Sequence, residues 1–257
     1  MDIKVIVATH KEYAMPNDAM YLPLHVGAQK KDTIGYKGDN TGENISEKNP
    51  FFCELTGLYW AWKNLECDYI GLAHYRRHFS VKINSKDKFG SILTKKQSEQ
   101  IFESTDVILP KKRNYYIDTI YNHYSNTHDS SHLDKTRKII SDKYPDYLPA
   151  FDKVMNSHKA HMFNMFIMKK DLADKYCEWL FDILFELENH IDVSDMSSFD
   201  ARLFGRVSER LLDVWLIHNN IAYKEVAHMH MEPINWAKKI GGFLAAKFLK
   251  KKYDKSC

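Results

Sequence analysis

Asp68-Tyr69-Ile70-Gly71-Leu72-Ala73-His74-Tyr75-Arg76-Arg77-His78-Phe79 starts as a short apolar run and ends in a burst of histidine, tyrosine and arginine. The first half has the composition of a buried strand. The second half reads as a strand end that faces a ligand, because open α/β sheets bind ligands beyond the carboxyl ends of their strands. Cations and aromatics crowded there suit an anionic, ring-bearing ligand, of which a sugar nucleotide is one. The competing reading is a solvated loop whose arginines pair with surface carboxylates.

Upstream, Asn49-Pro50 opens a helix with proline in its first turn, and Phe51, Leu55, Leu58, Tyr59 and Trp62 recur at helical spacing. Glu54 lies among them. If buried it needs a partner, and an arginine of the following strand could be braced by it; on the back of the helix it is simply solvated. The β-branched run Ile3–Thr9 reads as a first, central strand that delivers Thr9-His10-Lys11 to the same edge. Residues 12–49 are loop-like, with Pro16, Pro23, Gly27, Gly35, Gly38 and Gly42, and a connection of that length commonly serves a site. Within it, Val26-Gly27-Ala28 either lets the backbone approach a ligand or makes an ordinary turn.

Downstream, Lys95–Phe102 is a short helix and Asp106–Pro110 a strand followed by Lys111-Lys112-Arg113. Residues 118–157 are helical pieces. His128 and His132 are four apart there, but the carboxylate of an H-E-x-x-H zinc motif is missing, which speaks against a metal site. His161–Met168 is an apolar strand interrupted by Asn164, whose amide must bond to backbone or to a ligand hydroxyl. Asp171–Asn189 and Ser198–His218 are amphipathic helices, the second decorated by Asp200, Arg202, Glu209 and Arg210, and Ile221–Tyr223 is a brief last strand. Strands alternating with helices predict an α/β fold, with a mostly parallel sheet flanked by helices.

The chain has 257 residues, 44% apolar and 28% charged, enough for one large domain or a domain with an appendage. Its net charge of +3 is uneven: Lys238–Lys255 holds seven lysines and one aspartate, so the rest of the chain is net negative. A basic tail on an acidic body argues against a nucleic-acid-binding body. Residues 1–233 therefore read as one domain, and 234–257 as a basic amphipathic tail suited to a membrane surface, with Trp236, Ile240, Phe243, Leu244 and Phe248 along one stripe. Cys53, Cys67, Cys177 and Cys257 form no C-x-x-C pair and suit a reducing cytosol. Met1-Asp2-Ile3-Lys4 lacks the long apolar run of a secretory leader, and no stretch is apolar enough to span a bilayer. Phosphate-loop, dinucleotide and nucleophile-elbow motifs are absent, as is an Asp-x-Asp at a strand end.

Several segments together resemble a family of bacterial polysaccharide-biosynthesis proteins, formerly of unknown function, that includes galactofuranosyltransferases. They are Thr9-His10-Lys11, Leu24-His25-Val26-Gly27-Ala28, Glu54–Trp60, Gly71–Arg77, Asn164-Met165-Phe166 and Ser208-Glu209-Arg210-Leu211. The resemblance implies a GT-A-like domain that transfers galactofuranose from UDP-galactofuranose, by inversion, to a lipid-linked saccharide of capsule, exopolysaccharide or O-antigen, at the inner face of the cell membrane. It implies that Thr9, His10, Lys11 and Gly27 meet the nucleotide and that His74, Tyr75, Arg76 and Arg77 hold its diphosphate. Asn164 would contact the sugar. Fixed cations in place of Asp-x-Asp can stabilise the departing diphosphate without a metal, so no cofactor is required, though a divalent metal stays open as the less favoured reading. The catalytic base is expected to be Glu209 or Asp200, which lie about two and a half turns apart and so point to opposite sides of their helix; Asp134 stays open. Glu54, Arg202 and Arg210 would support the site. A UDP-galactopyranose donor and a non-catalytic sugar-nucleotide-binding subunit are the alternatives.

Overall fold

A computed structural model of the chain describes residues 1–82, 85–233 and 241. The tail helix expected over Ile234–Lys252 lies outside the described residues, Gly241 excepted. Strand β1 (Ile3–Thr9) is central, as its run of buried residues dictates, and lies parallel to β2 (Tyr21–His25). The short β3 (Lys37–Gly38) extends β2 in parallel, and β4 (Tyr69–His74) lies parallel to β1 on its other side. Residues 12–49 are therefore not all loop. Pro23 disguises β2; it can sit there because β3 reaches only Leu24 and His25, so at Pro23 the ladder has a partner on one side alone.

From His74 the chain turns back into β5 (Arg77–Ser80), with His74 paired to Arg77 across a two-residue tip. β6 (Val107–Pro110) follows, then a separate two-stranded ribbon of β7 (Arg113–Asn114) and β8 (Lys159–Ala160). β9 (Phe166–Lys169) inserts antiparallel between β4 and β6, and β10 (Lys224–His230) runs parallel to β6 and antiparallel to β5. The eight-stranded sheet is thus mixed rather than mostly parallel in its ladders. β4 pairs with β9 over Tyr69–Leu72 and with β5 at His74, so β4, β9, β6, β10 and β5 close a circuit of pairings. Gly71 permits the tight β4–β9 approach: a Cβ there would lie 2.7 Å from the Phe166 carbonyl.

Two boundaries differ from the sequence expectation. The helix at Asn49 breaks into α1 (Asn49–Phe52) and α2 (Leu55–Asn64), because Cys53 adopts φ 54° between them. The strand expected over His161–Met168 starts only at Phe166, because Phe163 and Asn164 are left-handed, at φ 79° and 54°. The last strand is Lys224–His230 rather than Ile221–Tyr223. Its alternating polar residues hide it, and pairing on both edges holds it. Helix α3 (Lys95–Phe102) opens with a Thr94–Gln97 capping box and packs on one face of the sheet, where Phe102 stacks on Tyr69. Helices α4 (Ile120–Thr127), α5 (Ser131–Lys143), α6 (Leu148–Met155), α7 (Lys170–Asn189) and α8 (Leu203–His218) join α2 in the larger core on the other face.

The loop after β2 is fixed by Asp39, which is fully buried. Its carboxylate accepts from the Gly27 and Ala28 amides at 2.9 and 3.0 Å and from the Ser46 and Thr56 hydroxyls at 2.5 and 2.6 Å. Asp39→Ala leaves these donors without an acceptor and is expected to lower the unfolding free energy by about 3 kcal/mol. Urea unfolding of the two proteins checks this, and equal midpoints would contradict it.

Candidate active site

The carboxyl ends of β1 and β4 meet where the β4–β5 hairpin turns. The Tyr75 amide donates to the Ala8 carbonyl at 3.2 Å, which pins the tip against β1. The buried Tyr75 ring then meets the His10 and Tyr13 rings edge-on, with centroids at 5.3 and 5.0 Å, while Lys11 Nζ and the Arg76 guanidinium lie 5.3 and 5.2 Å from its centre. Thr9 serves the turn itself: its hydroxyl donates to the Lys11 carbonyl at 2.6 Å and accepts from the Lys11 amide. His10, Lys11, Tyr75 and Arg76 thus share one cationic, aromatic surface. The His10 pKa is lowered by partial burial and then by Arg76 and Lys11. Arg76 is half-exposed and 3.5 Å from Glu232. Gly27, at φ 65°, has a packing reason for being glycine, since a Cβ there would lie 2.4 Å from the Asn49 side chain.

Behind this surface sits a buried polar layer. His74 Nε2 lies 2.6 Å from the Phe163 carbonyl and 3.9 Å from Glu54 Oε1. The short contact makes Nε2 the donor. Burial, and then the Arg77 charge, push the His74 pKa down to about 4, so it is neutral at ordinary pH. Asn164 donates to Glu54 Oε1 at 2.7 Å and to the Gly205 carbonyl at 3.0 Å, and accepts from the Ser208 hydroxyl at 2.8 Å. Burial raises the Glu54 pKa, with the Asn164 bond and then Arg202 and Arg77 opposing. Arg77 packs its guanidinium 4.4 Å from the centre of the Phe163 ring, and its buried Nε has no hydrogen-bond partner. Glu54 therefore lies inside the site among cations, and Asn164 spends its hydrogen bonds on protein.

Helix α8 and the turn before it supply the opposing wall. Arg202 Nε contacts Cys53 Sγ at 3.3 Å, and Arg206 and Arg210 follow at helical spacing. Arg210 donates to Glu209 Oε2 at 3.1 Å. Glu209 is close enough to raise the pKa of Arg77, His74 and Arg202. Asp200, by contrast, is exposed and accepts from the Ser197 hydroxyl at 2.7 Å. Of the two carboxylates expected on this segment, Glu209 is the one brought to the β4 hairpin. His128 ends α4 whereas His132 lies in α5, so they share no helix face; among the described residues no group of three His, Cys, Asp or Glu side chains could hold a metal ion.

Three participants escape a linear reading. Arg206 repeats the spacing of Arg202 and Arg210, a signal the sequence did carry. Phe163 matters through its carbonyl and its ring, which no residue type announces. His161 is fully buried, with Nδ1 2.5 Å and its backbone amide 2.9 Å from the Asp213 carboxylate, and Nε2 2.9 Å from Glu225. That clamp anchors the base of the Phe163–Asn164 turn.

An α/β domain with a cationic, aromatic surface at the carboxyl ends of its central strands is thereby defined. The chain belongs to the family described as a domain of unknown function, DUF4422, whose profile matches residues 4–220. No curated protein matches it. It is similar to a solved structure of the WbbM bifunctional glycosyltransferase in its apo form, with 31% identity and a TM-score of 0.84. The alignment covers 91% of this chain and 46% of that protein, so this chain spans less than half of it.

His74 buried neutral has a pH consequence. Its folded pKa lies below its ordinary value of 6.5, so its contribution to stability is full above pH 6.5 and is lost as pH falls toward about 4. The thermal midpoint should decline across that window, and His74→Gln should flatten the decline. Superimposable pH profiles for the two proteins would contradict the assignment.

Proposed function

We propose that this chain is a GT-A-type glycosyltransferase domain of bacterial cell-surface polysaccharide assembly, transferring galactofuranose from UDP-galactofuranose to a saccharide acceptor with inversion. The observation that supports this best is the Tyr75-Arg76-Arg77 hairpin at the end of β4, beside His10 and Lys11 at the end of β1. The similarity to the WbbM glycosyltransferase supports it in turn. The galactofuranosyl donor and the stereochemistry come from the sequence resemblance.

In this reading Thr9, His10, Lys11 and the Gly27 turn border the nucleotide, while Tyr75, Arg76 and Arg77 hold the diphosphate. Fixed guanidinium groups stabilise the charge that develops on the leaving phosphate, the work a divalent metal does elsewhere, so no cofactor is required. Glu209 acts as base: it takes the proton of the acceptor hydroxyl, the hydroxyl oxygen bonds to the anomeric carbon, and the bond to the diphosphate breaks with its electron pair leaving on UDP. Glu54, neutral His74 and Asn164 set the geometry behind the diphosphate, with Arg202 and Arg210 on the facing wall. The acceptor is lipid-linked, and the basic tail from residue 234 holds the domain at the inner membrane face.

Incubation with UDP-galactofuranose and saccharide acceptors, read by product mass, should show transfer; turnover with UDP-galactopyranose alone would overturn the donor, and UDP binding without any turnover would overturn the enzyme. Glu209→Gln is expected to lower kcat by about 100-fold or more while leaving UDP affinity unchanged. An undiminished kcat in this variant would remove Glu209 from the role of base.

A further inference from the structure

The excursion between β5 and α3 carries an exposed apolar edge flanked by lysines. Val81 is 44% exposed and Phe89 43%. The fold brings them together, because the Val81 amide donates to the Ser91 carbonyl at 3.0 Å and Ser80 bridges to Ile92. Phe89 thus lies two residues from the partner of Val81, and Lys82 and Lys86 are exposed beside them. By sequence, Val81–Ser91 holds three lysines and one aspartate. Asp87 turns its carboxylate onto the Gly90 amide at 2.9 Å, and among the described residues no carboxylate pairs with Lys82, Lys86 or Lys88. Other exposed lysines of this net-negative body are matched, Lys30 by Glu47, Lys138 by Asp142 and Lys143 by Asp182. Apolar side chains ringed by unneutralised lysines suit the boundary of an anionic bilayer, where rings enter among the headgroups and ammonium groups reach the phosphates.

The position of this edge supplies a second argument. Lys88 Nζ donates to the His230 and Met231 carbonyls at 2.9 and 2.8 Å, tying the excursion to the end of β10. From there the chain runs on into residues 234–257, with seven lysines between Lys238 and Lys255. The tail therefore starts beside the edge. The site borders it as well. A cavity of about 470 Å³ is lined by Phe89, Lys88 and Met231 and also by Tyr13, whose ring meets Tyr75 edge-on. Two apolar side chains bury too little area for a stable protein interface. A bilayer asks only for a shallow anchor that adds to a basic tail.

We propose that this edge is a membrane-contact surface. Phe89 and Val81 enter the headgroup boundary of an anionic bilayer, Lys82 and Lys86 meet its phosphates, and the tail from residue 234 binds the same leaflet. The Tyr75–Arg77 hairpin is thereby held close to the membrane, where a lipid-linked acceptor lies. That last consequence rests on the proposed function; the lipid contact itself does not.

The test is sedimentation of the full chain with vesicles of phosphatidylcholine alone and of an equal mixture with phosphatidylglycerol. The mixed vesicles should bind it about tenfold or more tighter than the neutral ones. Phe89→Asp, and separately the Lys82→Glu/Lys86→Glu pair, should each weaken binding to mixed vesicles about tenfold, with the thermal midpoint unchanged. Ile217→Asp alters an exposed aliphatic residue in the last turn of α8 and should leave binding within about twofold. Unaltered affinity in either edge variant, an equal loss in Ile217→Asp, or indifference to lipid charge would overturn the proposal. A Lys247→Glu/Lys251→Glu variant separates the edge from the tail. Full retention of that variant, with loss in the edge variants, removes the tail from membrane binding and keeps the edge; the opposite pattern keeps the tail and removes the edge.

Discussion

The carboxamide of Asn164 holds three parts of the molecule in one geometry. It reaches Glu54 at the break between α1 and α2, the Gly205 carbonyl in the first turn of α8, and Ser208 one turn further on. The same left-handed turn offers the Phe163 carbonyl to His74 at the end of β4. The α1–α2 break, the start of α8 and the end of β4 are therefore referred to one two-residue turn, and that turn is anchored in its own right by His161 between Asp213 and Glu225. A buried amide with three satisfied bonds is rigid because losing any one of them strands a desolvated partner.

That rigidity has an electrostatic use. Arg77 and Glu54 are both mostly shielded from solvent; that burial lowers the Arg77 pKa and raises that of Glu54. Each tempers the other across the site without a direct salt bridge between them. Cations held this way have met their desolvation cost during folding, so they stand as oriented donors rather than mobile side chains. Half-exposed Arg76 and exposed Lys11 add a softer outer positive field.

Much of this was legible in the chain. The Ile3–Thr9 run read as a buried central strand, and Tyr69–His74 as a strand carrying its basic end to the same edge, although a solvated loop remained the competing reading there. The α7 stripe was equally plain. What stayed hidden shares one cause, tertiary pairing overriding local signals. β2 contains a proline, β10 alternates histidine with apolar residues, and the turn at Phe163–Asn164 sits inside what looks like an unbroken apolar strand. Glu54 could be recognised as ambiguous but not as buried, since the helix break at Cys53 that turns it inward carries no sequence mark. The buried Asp39, which fixes the Gly27 turn, sits in a polar stretch with nothing to distinguish it from a solvated aspartate.

The central claim is that fixed arginines, not a metal ion, seat a nucleotide diphosphate at the β4–β5 hairpin. Calorimetric titration of UDP into the protein in excess EDTA, for the unaltered chain and for Arg77→Ala, tests it most directly. The account predicts saturable binding without divalent cation and a loss of about tenfold or more in Arg77→Ala, the worth of one strong charge-assisted contact. Binding that appears only when a divalent metal is restored, or that is indifferent to Arg77, would contradict it.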